Sequence, residues 1–119
     1  MCILFVDDEP LIRMLVEDIL LDAGYDIMLA ENGPEALRCL ERTPGYITAL
    51  ISDLNMSGIP DGAQLIEIAR DYNPRLPCLL VTARPDTVSA EWRATHNVTV
   101  LAKPFDVTAL IDFVQDSRT

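Results

Sequence analysis

The sequence has few basic residues, no long apolar run and no leader-like start, and each shortage excludes a class of protein. Nine Lys and Arg against 19 Asp and Glu give a formal net charge of −10 over 119 residues. Such a charge argues against a nucleic-acid-binding module, because phosphates would repel it. No apolar run approaches the roughly 20 residues of a membrane span. The start lacks the basic stretch and cleavage site of a secretory signal, so we expect a cytoplasmic protein without membrane association.

Cysteine and histidine are also scarce. Cys2, Cys39 and Cys78 form no CxxC pair, and His96 is the only histidine. An odd number of cysteines without a spacing pattern indicates reduced thiols, and their apolar neighbours favour packing roles. Zinc is not expected, because four clustered soft ligands are missing. We expect His96 at the surface or in a loop rather than in catalysis.

Five short apolar segments alternate with five helical patterns. Strands are predicted over 2–6, 26–30, 49–52, 77–81 and 98–102, and the first, fourth and fifth are almost wholly apolar. Continuous apolar strands are typical of a parallel sheet covered on both faces. The alternation predicts an α/β fold, a doubly wound parallel sheet with right-handed crossovers, in one domain over 1–119.

Proline, glycine and capping residues mark the helix ends. Pro10 suits the first turn of the first helix, which covers about 10–23, Gly24 ends it as a left-handed cap, and Asp106 caps the fifth helix. The second helix is predicted between Asn32-Gly33-Pro34 and Thr43-Pro44-Gly45, the third between Asp61-Gly62 and Asn73-Pro74, and a weakly patterned fourth near 88–95. The inner faces are predicted from helical spacing: Ile12, Leu15, Val16, Ile19 and Ala23; Ala36, Leu37 and Leu40; Leu65, Ile66 and Ala69; Val107, Leu110 and Val114.

Polar side chains follow four of the predicted strands. Asp7-Asp8-Glu9 follows the first, Asp53 the third, Thr82 the fourth and Lys103-Pro104 the fifth. The carboxyl ends of parallel strands share one edge of the sheet, where ligands bind in such folds. We therefore expect these side chains to converge.

The converging residue types indicate phosphoryl chemistry. Carboxylates in one place repel one another unless a divalent cation joins them, and hard oxygen ligands match Mg²⁺. Lys103, the only lysine, offers a compact charge for a carboxylate or a phosphoryl oxygen, and Thr82 offers a hydroxyl. Separately, acids after a strand can simply start a helix, and Asp53 can cap a turn. In combination they predict a metal site, a carboxylate nucleophile, and two side chains, Lys103 and Thr82, that hold the phosphoryl oxygens.

These motifs, D-D-E, D-x-N-M, T-A and K-P-F at successive strand ends, resemble the response-regulator receiver domains of two-component signalling over essentially the whole chain. The resemblance implies a flavodoxin-like, three-layer fold with strand order 2-1-3-4-5. It implies a switch that catalyses only its own phosphorylation and dephosphorylation, with a histidine kinase or histidine phosphotransferase as donor. It also implies signalling by docking to a downstream protein, as a monomer or a weak phosphorylation-dependent dimer.

The resemblance assigns a role to each motif residue. Asp53 is the expected phosphoacceptor, and Thr82 and Lys103 are expected to hold the phosphoryl oxygens. The Lys103–Pro104 bond is expected to be cis. The expected Mg²⁺ ligands are Asp8, Asp53, the backbone carbonyl of Asn55, and Asp7 either directly or through water.

Three features depart from the family pattern. The loop after Asp53 lacks the usual proline after Met56 and is one residue longer, and Arg84-Pro85 interrupts the start of helix four. Val100 stands where switching receivers usually have Tyr or Phe, and a short β-branched side chain cannot swing between two positions. We therefore expect the signal to leave through the strand-four loop and helix four, which carries Trp92.

Two apolar pairs lie off the predicted inner stripes. Leu11 and Met14 lie one turn from Asp7-Asp8 and are predicted to dock the phosphohistidine partner; the alternative is partial burial under the loop after strand five. Ile111 and Phe113 are predicted to form an output surface on helix five; the alternative is that they are only partly buried.

Two rival functions remain open. An aspartate-nucleophile phosphatase also uses Asp, Mg²⁺, a hydroxyl and Lys, but it needs a D-x-D pair after strand one, and Asp7-Asp8 has the wrong spacing. A receiver-like interaction module without phosphorylation is the second rival, and the complete set of site residues argues against it.

Overall fold

Strands and helices alternate in the computed structural model, which describes residues 2–43, 45–56 and 58–117. The strands are β1 (Cys2–Val6), β2 (Asp26–Ala30), β3 (Ile47–Asp53), β4 (Cys78–Thr82) and β5 (Thr99–Ala102). The helices are α1 (Pro10–Asp22), α2 (Gly33–Arg42), α3 (Gly62–Tyr72), α4 (Ala90–His96) and α5 (Val107–Asp116), with a 3₁₀ turn at Pro85–Thr87. The parallel strands follow the order β2-β1-β3-β4-β5, so the predicted flavodoxin-like order is confirmed.

An apolar cluster covers each face of the sheet, which gives the predicted three layers. Alternate residues of β1 point to opposite faces, Leu4 and Val6 into one cluster and Ile3 and Phe5 into the other. β1 and β4 are buried along their whole length, whereas β2 and β5 form the edges and are partly exposed. Three of the polar strand ends, those of β1, β3 and β4, therefore lie on the buried central strands, and the fourth follows the edge strand β5.

The predicted inner stripe of α1 is partly wrong. Val16 and Leu20 are fully buried, while Leu15 is 51% exposed and Ala23 is also exposed. Apolar residues occupy most positions of α1, so the spacing allows two overlapping stripes. The stripe of α1 that packs against the sheet contains Val16 and Leu20, which are four residues apart and so lie on one face of the helix. Gly24 has φ +92°, which confirms the left-handed end of the helix.

Helix α5 also departs from the prediction. Leu110 and Val114 are buried, but Val107, in the first turn of α5, is 40% exposed. Ile111 and Phe113 are partly buried against the core, as the alternative predicted.

The remaining predictions agree with the structure to within a few residues. Strand β3 is longer than predicted and β5 slightly shorter, and part of the predicted end of α2, Pro44, lies outside the described residues. Cys2 and Cys78 are buried and Cys39 is partly buried, all as free thiols. Among the described residues, no helix is long and apolar enough to cross a membrane.

Candidate functional site

The acidic residues meet where the strand order reverses, between β1 and β3. The register pairs Val6 with Ser52, so Asp7 and Asp53 follow at adjacent strand ends. Asp7 is 1% exposed and Asp53 is 6% exposed, whereas Asp8 lies in solvent. Asp7, Asp8 and Asp53 each place a carboxylate oxygen within 4.8 Å of the others. The structure therefore gathers these three carboxylates into one acidic cluster.

Lys103 joins the two buried carboxylates. Its Nζ lies 3.0 Å from Asp7 Oδ2 and 3.0 Å from Asp53 Oδ2, and its side chain is largely buried. Its backbone N–H donates to the carbonyl of Thr82 at 2.8 Å, which ties the ends of β4 and β5 together. With all groups ionised, the cluster and Lys103 carry two net negative charges. A divalent cation would neutralise that charge.

The other oxygens of the buried carboxylates accept backbone hydrogen bonds. Glu9 N–H donates to Asp7 Oδ1 at 2.9 Å, and Asn55 N–H donates to Asp53 Oδ1 at 3.2 Å. Asn55 is exposed, and its peptide lies beside the cluster. Gly62 starts α3 against the end of β3, where a Cβ atom would lie 2.2 Å from the Asp53 carbonyl oxygen. The loop between Asp53 and Gly62 is therefore constrained at both of its ends.

Burial and charge shift the protonation of Asp53 and Lys103 in the same direction. Burial raises the pKa of Asp53, and the neighbouring Asp7 adds to this, although Lys103 and the Asn55 N–H oppose it. For Lys103, burial lowers the pKa, but the hydrogen bonds and charges of Asp7 and Asp53 outweigh it and raise the pKa overall. Because both pKa values are raised, Asp53 and Lys103 each keep a proton to a higher pH than they would as separate groups in water.

Thr82 and Pro104 lie at the same edge of the sheet. Thr82 is the last residue of β4 and is fully buried, and its Oγ1 accepts a hydrogen bond from the N–H of Arg84 at 3.1 Å. The Lys103–Pro104 peptide bond is cis. The structure thus brings the Thr82 hydroxyl and Lys103 to one edge of the sheet, and the hydroxyl accepts its hydrogen bond from the loop that follows β4.

The predicted docking residues lie on the solvent face of α1. Leu11 is 78% exposed and Met14 is 60% exposed. The alternative of partial burial is therefore wrong for both. Their position in the first turns of α1 places them next to the loop that carries the acidic cluster.

Arg13 contacts the site and was not predicted from the sequence. Its Nη1 donates to the backbone oxygen of Asp7 at 2.7 Å, and its Nη2 lies 3.9 Å from Glu31 Oε2. Arg13 is the only basic residue between Pro10 and Asp22, and it follows the acidic Asp7-Asp8-Glu9 run by one turn. That position is the signal that could have identified it.

Comparison with known proteins gives a consistent family assignment. The family model described as response regulator receiver domain matches residues 3–115. The transcriptional regulatory protein GlrR of Escherichia coli is 35% identical over 118 residues, which cover 97% of this chain and 26% of that protein. The chain therefore spans about a quarter of the length of this curated relative.

Solved structures agree with the sequence comparison. The receiver domain of the hybrid histidine kinase CckA has a TM-score of 0.83 and 34% identity, with all of both chains covered. The response regulator TrrA of Thermotoga maritima, solved in complex with Mg²⁺ and BeF, has a TM-score of 0.84 and 32% identity over 98% of this chain and 97% of that one.

Proposed function

The chain belongs to the response-regulator receiver domain family, the phosphorylation-dependent switch of two-component signalling, and from this we propose that Asp53 is its phosphoacceptor. The observation that carries the proposal is the position of Asp53. It ends the central strand β3, lies nearly buried between Asp7 and Lys103, and is held by the Asn55 N–H. A fixed carboxylate beside a cation is suited to attack phosphorus.

Transfer then follows from the chemistry of the donor. A carboxylate oxygen of Asp53 forms a bond to the phosphorus of a phosphohistidine, and the N–P bond breaks with its electrons passing to the leaving imidazole. Lys103 and the Thr82 hydroxyl stabilise the charge that develops on the phosphoryl oxygens. Water later hydrolyses the acyl phosphate, so the domain is a switch that catalyses only its own phosphorylation and dephosphorylation.

Mg²⁺ is the cofactor that the acidic cluster fits. The donors are hard carboxylate oxygens that already lie within 4.8 Å of one another, with two net negative charges to neutralise. Asp8 and Asp53 would hold the ion, with the Asn55 carbonyl and with Asp7 directly or through water. Bound Mg²⁺ supplies charge neutralisation for phosphoryl transfer.

The proposal is tested by intact mass after incubation with acetyl phosphate and Mg²⁺. The wild-type protein should gain one acid-labile phosphoryl group, and Asp53→Asn should gain none. Asp86→Asn, at an exposed position outside the cluster, is the matched control and should behave as wild type. Full phosphorylation of Asp53→Asn would contradict the assignment, and no phosphorylation of the wild type by any donor would favour the interaction module.

The identity of the cation at position 103 gives a second test. Lys103 Nζ serves both carboxylates as a single point of charge, at 3.0 Å from each. The planar guanidinium of Lys103→Arg has a different shape and should not substitute for it. Normal phosphorylation of Lys103→Arg would show that position 103 needs only a positive charge.

Leu11 and Met14 are the proposed docking residues for the histidine kinase or histidine phosphotransferase. Their support is their exposure next to the acidic cluster, which the phosphohistidine must approach. The double variant Leu11→Ala/Met14→Ala should slow transfer from a histidine kinase but not from acetyl phosphate. Leu21→Ala, also exposed but in the last turn of α1, is the control. Equal slowing with both donors would rule out docking.

The output is proposed to be a docking event on a downstream protein, by a monomer or a weak phosphorylation-dependent dimer. Val100 is only partly buried and short, so we propose that the signal passes through the Pro85–Thr87 turn and α4. A cytoplasmic location is part of the proposal, and the three free thiols support it.

A further inference from the structure

We propose that Arg13 is a positioning residue, which fixes the backbone of Asp7 and through it the geometry of the acidic cluster. The inference rests on the proposed Mg²⁺ site. Arg13 belongs to α1 and Asp7 to the loop after β1, so their contact links the first turn of the helix to the strand end.

The hydrogen bonds around Asp7 leave it little freedom. Its backbone N–H donates to the Ala30 carbonyl at 3.1 Å, and its backbone oxygen accepts from Arg13 Nη1 at 2.7 Å. Its carboxylate is held by the Glu9 N–H and by Lys103. Arg13 therefore completes a frame in which both backbone groups and both carboxylate oxygens of Asp7 have partners.

The ion pair with Glu31 does not explain this position of Arg13. A cation in the first turn of a helix opposes the positive end of the helix dipole, and a guanidinium beside a cation site repels the incoming ion. The nearest acidic partner, Glu31, is 3.9 Å away, and its side chain is 58% exposed, which makes that ion pair weak. The short hydrogen bond from Nη1 to the Asp7 carbonyl is the stronger contact, and the planar guanidinium holds this donor at a fixed distance from the helix.

Arg13 as a charge and Arg13 as a positioning residue predict opposite changes in Mg²⁺ affinity when Arg13 is removed. If Arg13 acts only as a charge, its removal makes the local potential more negative and Mg²⁺ binds more tightly. If Arg13 positions Asp7, its removal loosens a ligand-bearing loop and Mg²⁺ binds more weakly. Arg13→Lys separates them further, because it keeps the charge but removes the guanidinium nitrogen that donates to the Asp7 oxygen.

Mg²⁺ titration of the full chain provides the first test. We expect Arg13→Ala and Arg13→Lys to bind Mg²⁺ about tenfold more weakly than wild type, as for other residues that orient metal ligands. Glu31→Gln, which removes only the ion pair, and Arg38→Ala, at an exposed position of α2, should change the affinity less than about twofold. Unchanged or tighter binding by Arg13→Ala would overturn the proposal.

Amide hydrogen exchange without Mg²⁺ provides a test that does not depend on the metal. The N–H groups of Asp7 and Glu9 should exchange faster in both Arg13 variants than in wild type, Glu31→Gln or Arg38→Ala. Unchanged exchange would overturn the positioning role even if Mg²⁺ affinity fell. If the wild type did not bind Mg²⁺, the proposed metal site would fail, while exchange would still decide the role of Arg13.

Discussion

Replacing Lys103 by Met removes the cation that the two buried carboxylates share. Asp7 and Asp53 are 1% and 6% exposed, and each depends on Lys103 Nζ at 3.0 Å for one of its oxygens. Met has a similar length and no charge, so the variant isolates the loss of the ammonium group. The carboxylates would then face each other without a counter-charge, which destabilises the folded state.

The size of the effect follows from the geometry. At an effective dielectric constant of about 20, a 3 Å ion pair is worth about 5.5 kcal/mol before the cost of desolvation. Removing one partner of a buried pair costs about 3–5 kcal/mol. Because 18% of the Lys103 side chain is exposed, water can reach the vacated position, and we expect a loss of about 3 kcal/mol in the free energy of unfolding at neutral pH.

The pH dependence has a definite sign. Burial already raises the pKa of Asp53, and loss of Lys103 raises it further. A carboxyl group with a raised pKa in the folded state stabilises the fold at low pH, and this contribution is lost as the pH rises through that pKa. The deficit of Lys103→Met should therefore shrink as the pH falls from about 7 to about 5.

Urea denaturation in Mg²⁺-free buffer measures this deficit. Arg38→Met, at an exposed position of α2, is the matched control and should lose less than about 0.5 kcal/mol. The double variant Lys103→Met/Asp53→Asn should recover most of the stability, since one unpaired carboxylate is removed. A loss in Lys103→Met as small as in the control, or one that grows as the pH falls, would show that Asp7 and Asp53 do not depend on Lys103 for their counter-charge.

Three further predictions concern a thiol, a metal ligand and a reporter. Burial raises the pKa of Cys78 to about 11 from an ordinary 9.0, so this thiol alone should lower the free energy of unfolding by about 2–3 kcal/mol between about pH 9 and pH 11. Cys2, Cys39 and Lys103 also have raised pKa values, so urea titrations of Cys78→Ala should show a fall that is smaller than that of wild type by this amount, and an identical fall would contradict the prediction. Asp8→Ala should be at least as stable as wild type in Mg²⁺-free buffer and bind Mg²⁺ more weakly, so an unchanged Mg²⁺ titration would contradict the ligand role. Trp92, whose Nε1 lies 3.4 Å from Glu67 Oε2, should change its fluorescence when beryllium fluoride and Mg²⁺ are added; a silent Trp92 would exclude the α4 route.

The sheet could be predicted from the sequence because its signals are local. β1 and β2 begin and end at the predicted residues, since apolar runs there are bounded by Asp7, Gly24 and Glu31. The acidic cluster followed from topology, because Asp7 and Asp53 end parallel strands whose carboxyl ends share one edge. That reasoning gives proximity, while the 3.0 Å contacts of Lys103 required the structure.

Features that depend on packing between elements could not be predicted. The choice between Leu15 and Leu20 as the inner residue of α1 depends on how the helix lies on the sheet, and spacing allowed either. The burial of Ile111 and Phe113 depends on how α5 packs against the core. Arg13 was missed because its spacing after the acidic run is the one sequence signal it carries, and only the fold shows that its side chain reaches the Asp7 carbonyl.

Chemical identification of the phosphorylated residue distinguishes Asp53 from its acidic neighbours. Borohydride reduces an acyl phosphate to the alcohol, so a phosphorylated aspartate becomes homoserine and can be located by peptide sequencing. After treatment with a phosphodonor and Mg²⁺, we expect homoserine at position 53 and unchanged aspartate at Asp7 and Asp8. Homoserine at Asp7 or Asp8, or phosphate that survives reduction on another residue while Asp53 stays intact, would contradict it.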